Sequence, residues 1–364
     1  MAKFCIVTNP INEILSKFDS ENNFNNKIFL RHKKILNNFS NNIIFYYLQY
    51  SVEHMEKNIE DLNFIDKKYL IFLKNAYKNW EEFDKPKDYE SILNYGLVSF
   101  TFSKKYKILN KLPFYKQTGI FGNDNYTSIF DYTYEYVLKS AYNGIYIAKK
   151  LLNEYDVIYS CNIFPGHHAT QNSYGGYCFI NNASICAIQL LENYDKVAIL
   201  DLDMHCHDGT QRIFYNCNKV LTVSIHANPT FEFPSYYGYE EEKGKDEGLG
   251  FNINYPLNSP VEIEKYLETL NKAMVEINKF EPKILIIAFG GDTFKDDPES
   301  LGSTRFNLEI NDYKVIGSLI KKYFDKKIIV IQEGGYNIEH IGTIVNNFIT
   351  GLLYRFQLKI DKNK

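Results

Sequence analysis

Asp201, Asp203, His205, His207 and Asp208 fall within eight residues of one another, directly after the apolar run VAIL at 197–200. Alternate residues of an extended chain point the same way, so Asp203 and His205 can offer an oxygen and a nitrogen to one metal ion. Acids in such a place also cap helices, but two carboxylates behind a buried strand, followed by histidines, favour ligation. A second apolar run, ILIIAF, ends in two glycines and then Asp292. Glycine there lets the backbone come close to a ligand. Asp203, His205 and Asp292 together make three protein ligands with an open position, the plan of a catalytic rather than a structural zinc site. Oxygen and nitrogen donors suit Fe²⁺ or Co²⁺ as well.

Two further stretches carry chemistry. FPGHHA places His167 and His168 side by side after a Pro-Gly turn. A lone histidine is usually a satisfied structural residue, but two adjacent ones need two partners, and Asp201 and Asp208 are available to orient them. One of the two can then accept a proton from an attacking water and return it to a leaving amine. The run IIVIQEGGY ends in Tyr336 at a glycine turn. A tyrosine there can simply pack on the surface; opposite a metal, its hydroxyl can donate to a carbonyl oxygen as that oxygen gains charge.

These residues stand at the ends of short β-branched runs, at 156–161, 196–203, 220–225, 284–289 and 328–332, with earlier ones at 4–8 and 43–48. Amphipathic stretches lie between them, the pattern of βαβ units and a parallel sheet. Ligands bind at the carboxyl edge of such a sheet. The expected architecture is a three-layer α/β/α fold around a mostly parallel sheet of roughly eight strands. One helix is marked by Ser259 and Glu262, spaced as a capping box, with Pro260 suited to the first helical position. Its apolar residues Ile263, Tyr266, Leu267, Leu270, Met274 and Ile277 share one face and read as core. Asparagine-rich pieces such as ENNFNNK blur the first ~130 residues. No repeat, linker or composition break divides the chain, so residues 1–364 are expected to form one domain.

Composition narrows the partners. The 41 basic and 44 acidic residues leave a net charge of -3, without the basic face that nucleic acid requires. The six cysteines have no C-x-x-C spacing, which fits a reducing compartment better than a disulfide framework. The opening MAKFCIVTNP is too short an apolar run for a signal peptide, and no stretch is long enough to span a bilayer. A cytoplasmic location without a membrane partner is the expectation.

FPGHHA, GGYCFINN, DLDMHCHDGTQ, GGDTF followed by DP, and EGGY occur in that order. In this the chain resembles the histone deacetylase and acetylpolyamine amidohydrolase superfamily of the arginase/deacetylase fold, over roughly residues 115–355. SIHANPTFEFPSYYGYEEEKGKDEGLGFNINYPL and GGDTFKDDP look like the acetylpolyamine amidohydrolase branch. The resemblance implies Zn²⁺ at Asp203, His205 and Asp292, with His168 as general base and acid and His167 as its electrostatic partner. It implies Asp201 and Asp208 as the carboxylates behind the histidines, and Tyr336 as the transition-state tyrosine. Gly176, Tyr177 and Phe233 match the lining of the acyl channel. Asp201, Asp203, His205, Ser224 and Ile225 match a structural K⁺ or Na⁺ site. A homodimer is a further family expectation.

The chain departs from that pattern at two positions. Cys206 and His207 stand where the family has histidine and glycine, so the bulk of His207 is expected to press on Asp208 or to add a polar group near the site. The leading expectation is zinc-dependent deacetylation of N-acetylated polyamines or related small acylated amines. Glu240, Glu241 and Glu242, on the loop after Phe233, could supply an acidic entrance or be a solvated charge run. Protein acyl-lysine deacylation is the alternative on the same chemistry. A two-Mn²⁺ ureohydrolase is disfavoured, because His207 breaks the Asp-x-His-x-Asp pattern. A metal-binding homologue with impaired catalysis is the remaining alternative.

Overall fold

The computed structural model describes residues 2–11, 24–40, 42–82, 96–99, 101–103, 106–301 and 305–354. Of the asparagine-rich piece at 21–27, residues 21–23 lie outside these, and the rest opens helix α1 (Phe24–Asn37). Eight strands form one sheet: β1 (Phe4–Thr8), β2 (Ile44–Tyr47), β3 (Val157–Ser160), β4 (Val197–Asp201), β5 (Val220–Ala227), β6 (Asn252–Leu257), β7 (Ile284–Phe289) and β8 (Lys327–Gln332). Their order is β2-β1-β3-β8-β7-β4-β5-β6, and every neighbouring pair is parallel. The three-layer expectation is met.

Alternation along the central strands builds both cores. Ile284, Ile286 and Ala288 pack into one apolar cluster together with Leu138 of α4 (Thr133–Tyr146) and Ile185 of α5 (Asn182–Leu190). Leu285, Ile287 and Phe289 enter the other, with Met274 of α7 (Ile263–Phe280), Ile316 of α8 (Asp312–Tyr323) and Phe348 of α9 (Ile341–Leu353). A strand buried on both faces can be apolar throughout, which is why ILIIAF reads as a continuous run. Between α1 and α4 lie α2 (Val52–Asp61) and α3 (Lys67–Glu81), and between α5 and α7 the short α6 (Asp208–Phe214).

Two expectations need correction. Strand β6 has no counterpart among the runs singled out in the sequence. Its segment NINYPL carries buried asparagines whose side-chain amides find a partner far off in the chain: Asn252 and Asn254 both donate to Gln211 Oε1, at 3.0 and 2.8 Å. The capping box is also absent. Helix α7 begins at Ile263, Glu262 stands at its N-cap without a side-chain bond, and Pro260 precedes the helix. Ser259 Oγ accepts instead from Arg305 N at 3.0 Å, and Glu262 Oε1 from Asn307 Nδ2 at 2.6 Å. Tertiary partners outcompete the local cap. The apolar face of α7 holds: Tyr266, Leu270, Met274 and Ile277 are buried, with Ile263 and Leu267 packed against the same core.

Helix α1 sends two charged or titratable side chains, Arg31 and His32, into the interior with no exposed surface. His32 Nε2 lies 2.9 Å from Thr8 Oγ1, and Nδ1 lies 3.5 Å from Cys161 Sγ. Burial, and then the neighbouring Arg31 charge, push its pKa from 6.5 down to about 4. The unfolded chain takes up this proton before the folded one does. The stability involved is therefore intact above pH ~6.5 and is lost as pH falls toward the folded value. We expect His32 to cost the fold about 2 kcal/mol between pH 7 and pH 5. Urea midpoints of the wild type and His32→Gln, compared across that range, check this. Parallel pH dependences in the two proteins would refute it.

Candidate active site

The loops leaving β4 and β7 bring Asp203, His205 and Asp292 together, with ligand atoms all within 4.8 Å of one another. Asp203 Oδ1 accepts the His205 backbone N–H at 3.0 Å, and Oδ2 accepts Gly334 N–H at 2.9 Å. Asp292 Oδ1 accepts Met204 N–H at 3.0 Å. Its other oxygen, Oδ2, is buried without a hydrogen-bond partner, 3.7 Å from His205 Nδ1. Gly290 is required for this approach, since a Cβ there would collide with Asp203 Oδ2. Burial and the charge of Asp203 raise the Asp292 carboxyl to about 7. For Asp203, burial is outweighed by His167 and His205, which hold its carboxyl well below the usual range. Two buried like charges, an orphaned carboxylate oxygen and a facing imidazole fit a divalent cation.

The loop after β3 carries the two histidines, whose ring centroids are 4.0 Å apart. His167 Nδ1 lies 3.1 Å from Asp201 Oδ2, and His168 Nδ1 lies 2.7 Å from Asp208 Oδ1. The two titrate in opposite senses. Burial disfavours charge on His167, but Asp203 and Asp201 overcome it and raise its pKa to about 10. Burial, and then the charge of His167, lower His168 to about 4. A charged and a neutral imidazole thus stand side by side, the neutral one with Nε2 left for proton exchange. Gly176, at φ +55°, closes over this ring, and a Cβ there would collide with His168 Cδ2.

A cavity of about 290 Å³ opens onto these groups. Tyr177 and Tyr336 meet edge to face at 5.9 Å across it, and Phe233 meets His168 at 4.8 Å. Burial raises the Tyr336 hydroxyl well above 10, so it stays protonated and can donate. The acids lining the cavity are Asp124, Glu232 and Glu299, besides the candidate ligands. The run Glu240, Glu241 and Glu242 is not part of that lining. Glu242 Oε2 caps a turn by accepting Gly238 and Tyr239 N–H at 2.6 and 2.9 Å, while Glu240 and Glu241 are exposed.

Ser224 and Ile225 lie on β5, with Ser224 paired in register with Asp201. His226 Nε2 faces the Gly238 carbonyl at 2.8 Å and must donate to it, so its Nδ1 accepts from Ser224 Oγ at 2.7 Å. The bulk of His207 has not displaced Asp208, which keeps its bond to His168. His207 is instead fully buried, with Nδ1 3.7 Å from Asp201 Oδ2 and neither ring nitrogen hydrogen-bonded.

Residues 30–352 match the family model described as the histone deacetylase domain. The chain belongs to this family. It is 39% identical over 220 residues to acetylpolyamine amidohydrolase 2 of Pseudomonas aeruginosa, covering 60% of this chain and 62% of that protein. To acetylpolyamine amidohydrolase 1 of the same organism it is 33% identical over 290 residues, covering 79% and 80%. The crystal structure of an acetylpolyamine aminohydrolase from Burkholderia pseudomallei superposes with a TM-score of 0.83 at 25% identity, over 96% of this chain and 99% of that one. The family match therefore begins within α1 and takes in β2, well before residue 115, where the motif resemblance begins.

Four residues of the candidate site are given no role by the motifs, Asp297 although it stands inside GGDTFKDDP. Arg31 sits in the helical run FLRHKKIL, where a basic residue among lysines reads as a solvated face. It is fully buried, its Nη1 bonded to Glu333 O at 2.7 Å and its Nη2 to Ile163 O at 2.9 Å. Its guanidinium stands 5.5 Å from the Tyr336 ring centroid. Asp297 Oδ2 accepts Tyr336 and Asn337 N–H at 2.7 and 2.8 Å. Asp124 Oδ2 accepts Gly176 N–H at 2.6 Å. Glu333 stands inside the EGGY motif, yet the chemistry legible in that motif belongs to its tyrosine.

Proposed function

We propose that this deacetylase-family protein hydrolyses N-acetylated polyamines or related small acylated amines, with Zn²⁺ held by Asp203, His205 and Asp292. The observation that carries this reading is the convergence of that triad, the His167–His168 pair and Tyr336 on one cavity whose further acids are Asp124, Glu232 and Glu299. A bound Zn²⁺ supplies Lewis acidity to the amide carbonyl and lowers the pKa of a water. His168, held through Nδ1 by Asp208, takes the water's proton at Nε2 and passes it to the departing nitrogen. His167, kept charged by Asp203 and Asp201, stabilises negative charge without accepting the proton. Tyr336 donates its hydroxyl to the carbonyl oxygen as charge develops. Phe233 and Tyr177 exclude water from the acyl group. Asp201, Asp203, His205, Ser224 and Ile225 would hold K⁺ or Na⁺ behind the site.

The acids of the lining favour a substrate whose far end is an ammonium. Assays of the Zn²⁺-loaded protein on acetylated polyamines, an acetyl-lysine peptide and an uncharged acetylated amine test this. Turnover of the polyamines is expected, and turnover of the peptide alone would move the protein to the acyl-lysine class. Tyr336→Phe should lower kcat on the order of 10² by removing one donor to the developing oxyanion. Glu299→Gln should raise KM for acetylpolyamines by roughly fivefold, the scale of a half-exposed ion pair. It should leave KM for the uncharged amine unchanged, and an equal rise for both would remove Glu299 from charge recognition.

A further inference from the structure

We propose that Glu333 is a positioning residue of the reaction: its carboxylate, hydrogen-bonded to the backbone ahead of and at His167, fixes the histidine pair against the loop that carries Tyr336. The inference rests on the deacetylase reading of the site. Glu333 has no exposed surface, and one oxygen, Oε2, accepts both Gly166 N–H at 2.5 Å and His167 N–H at 3.1 Å. The peptide of the same residue is tied on both sides. Its N–H donates to Phe289 O at 2.8 Å at the end of β7, and its carbonyl accepts from Arg31 Nη1 at 2.7 Å. Arg31 Nη2 reaches back to Ile163 O at 2.9 Å, on the loop that holds the histidines. Glu333 and Arg31 therefore close a ring of hydrogen bonds around the loops after β3 and β8. Gly334, next in the chain, donates to Asp203 Oδ2, so the ring also ends on the metal-facing carboxylate.

Backbone placement of a proton-transfer group matters because a shift of about 1 Å costs on the order of 10² in rate. What the ring requires of residue 333 is reach and an acceptor oxygen, not charge. Glu333→Gln keeps both, whereas Glu333→Asp keeps the charge but is too short to meet the two N–H groups. The expected result is a Glu333→Gln kcat within about threefold of wild type. For Glu333→Asp and Glu333→Ala, kcat should fall roughly 10- to 100-fold, with KM and metal content unchanged. Ring ¹⁵N resonances of His167 and His168, recorded without substrate, should move in Glu333→Asp and stay in place in Glu333→Gln. The proposal is overturned if Glu333→Asp retains activity while Glu333→Gln loses it, if the two fall alike, or if neither moves the resonances. Should Glu333→Ala fail to fold, the other two variants decide. A wild-type protein that turns over no acetylated amine would sink the deacetylase reading alone, since the resonances still report on the ring.

Discussion

Asp292→Asn should abolish metal-dependent turnover, lowering it by roughly 10³ or more, because a lost ligand forfeits several kcal/mol of transition-state stabilisation. The reason lies in what the carboxylate does before any metal arrives. Asp292 is 1% exposed and is raised toward neutral pH by burial and by Asp203, while its Oδ2 has no hydrogen-bond partner. That is stored repulsion, relieved when a cation enters. The amide introduced by Asp292→Asn would keep the shape and the Met204 bond but remove the charge. The variant should therefore melt no lower than wild type when both are stripped of metal, and lower than wild type when Zn²⁺ is added. Thermal melts with and without the ion, alongside metal content and kcat, measure both signs. A stripped variant that melts well below stripped wild type would show that Asp292 is a structural acid.

His168→Ala should lower kcat by roughly 10²–10⁴, the range for loss of a positioned acid–base group, while metal content stays at the wild-type level. The ring is buried, neutral at physiological pH, and oriented by Asp208 at 2.7 Å. Nothing in the triad bonds to it, so its removal leaves the ligand geometry in place. Steady-state kinetics with metal quantified on the same preparation check the prediction. A His168→Ala protein with intact kcat would pass the proton transfer to another group, and His167, already charged, is a poor substitute.

Much of this is legible in the sequence because the chemistry stands where buried strands end. Asp203, Asp292 and Tyr336 each follow an apolar run that can only be a central strand, and parallel strands place those ends on one edge. What escapes is decided by partners far away in the chain. Asn252 and Asn254 keep their segment out of the strand runs because their acceptor, Gln211, lies some forty positions earlier. Ser259 and Glu262 read as a cap until Arg305 and Asn307 take their oxygens. Arg31 reads as surface, because only the fold reveals the carbonyls of Ile163 and Glu333 that satisfy it. The acidic run at 240–242 suggests an entrance by charge alone, while the acids that line the cavity besides the candidate ligands, Asp124, Glu232 and Glu299, stand far apart in the chain.

The segment leaving β7 holds Asp292 against the metal position, Asp297 beneath Tyr336, and Glu299 on the cavity wall. On the proposed function, ligation, support of the catalytic tyrosine and charge selection share eight residues of one loop. A new substrate preference is therefore open to this protein through a point change at Glu299. Exchange of the whole loop would disturb the catalytic apparatus at the same stroke, so specificity here can drift one side chain at a time but cannot be traded as a module.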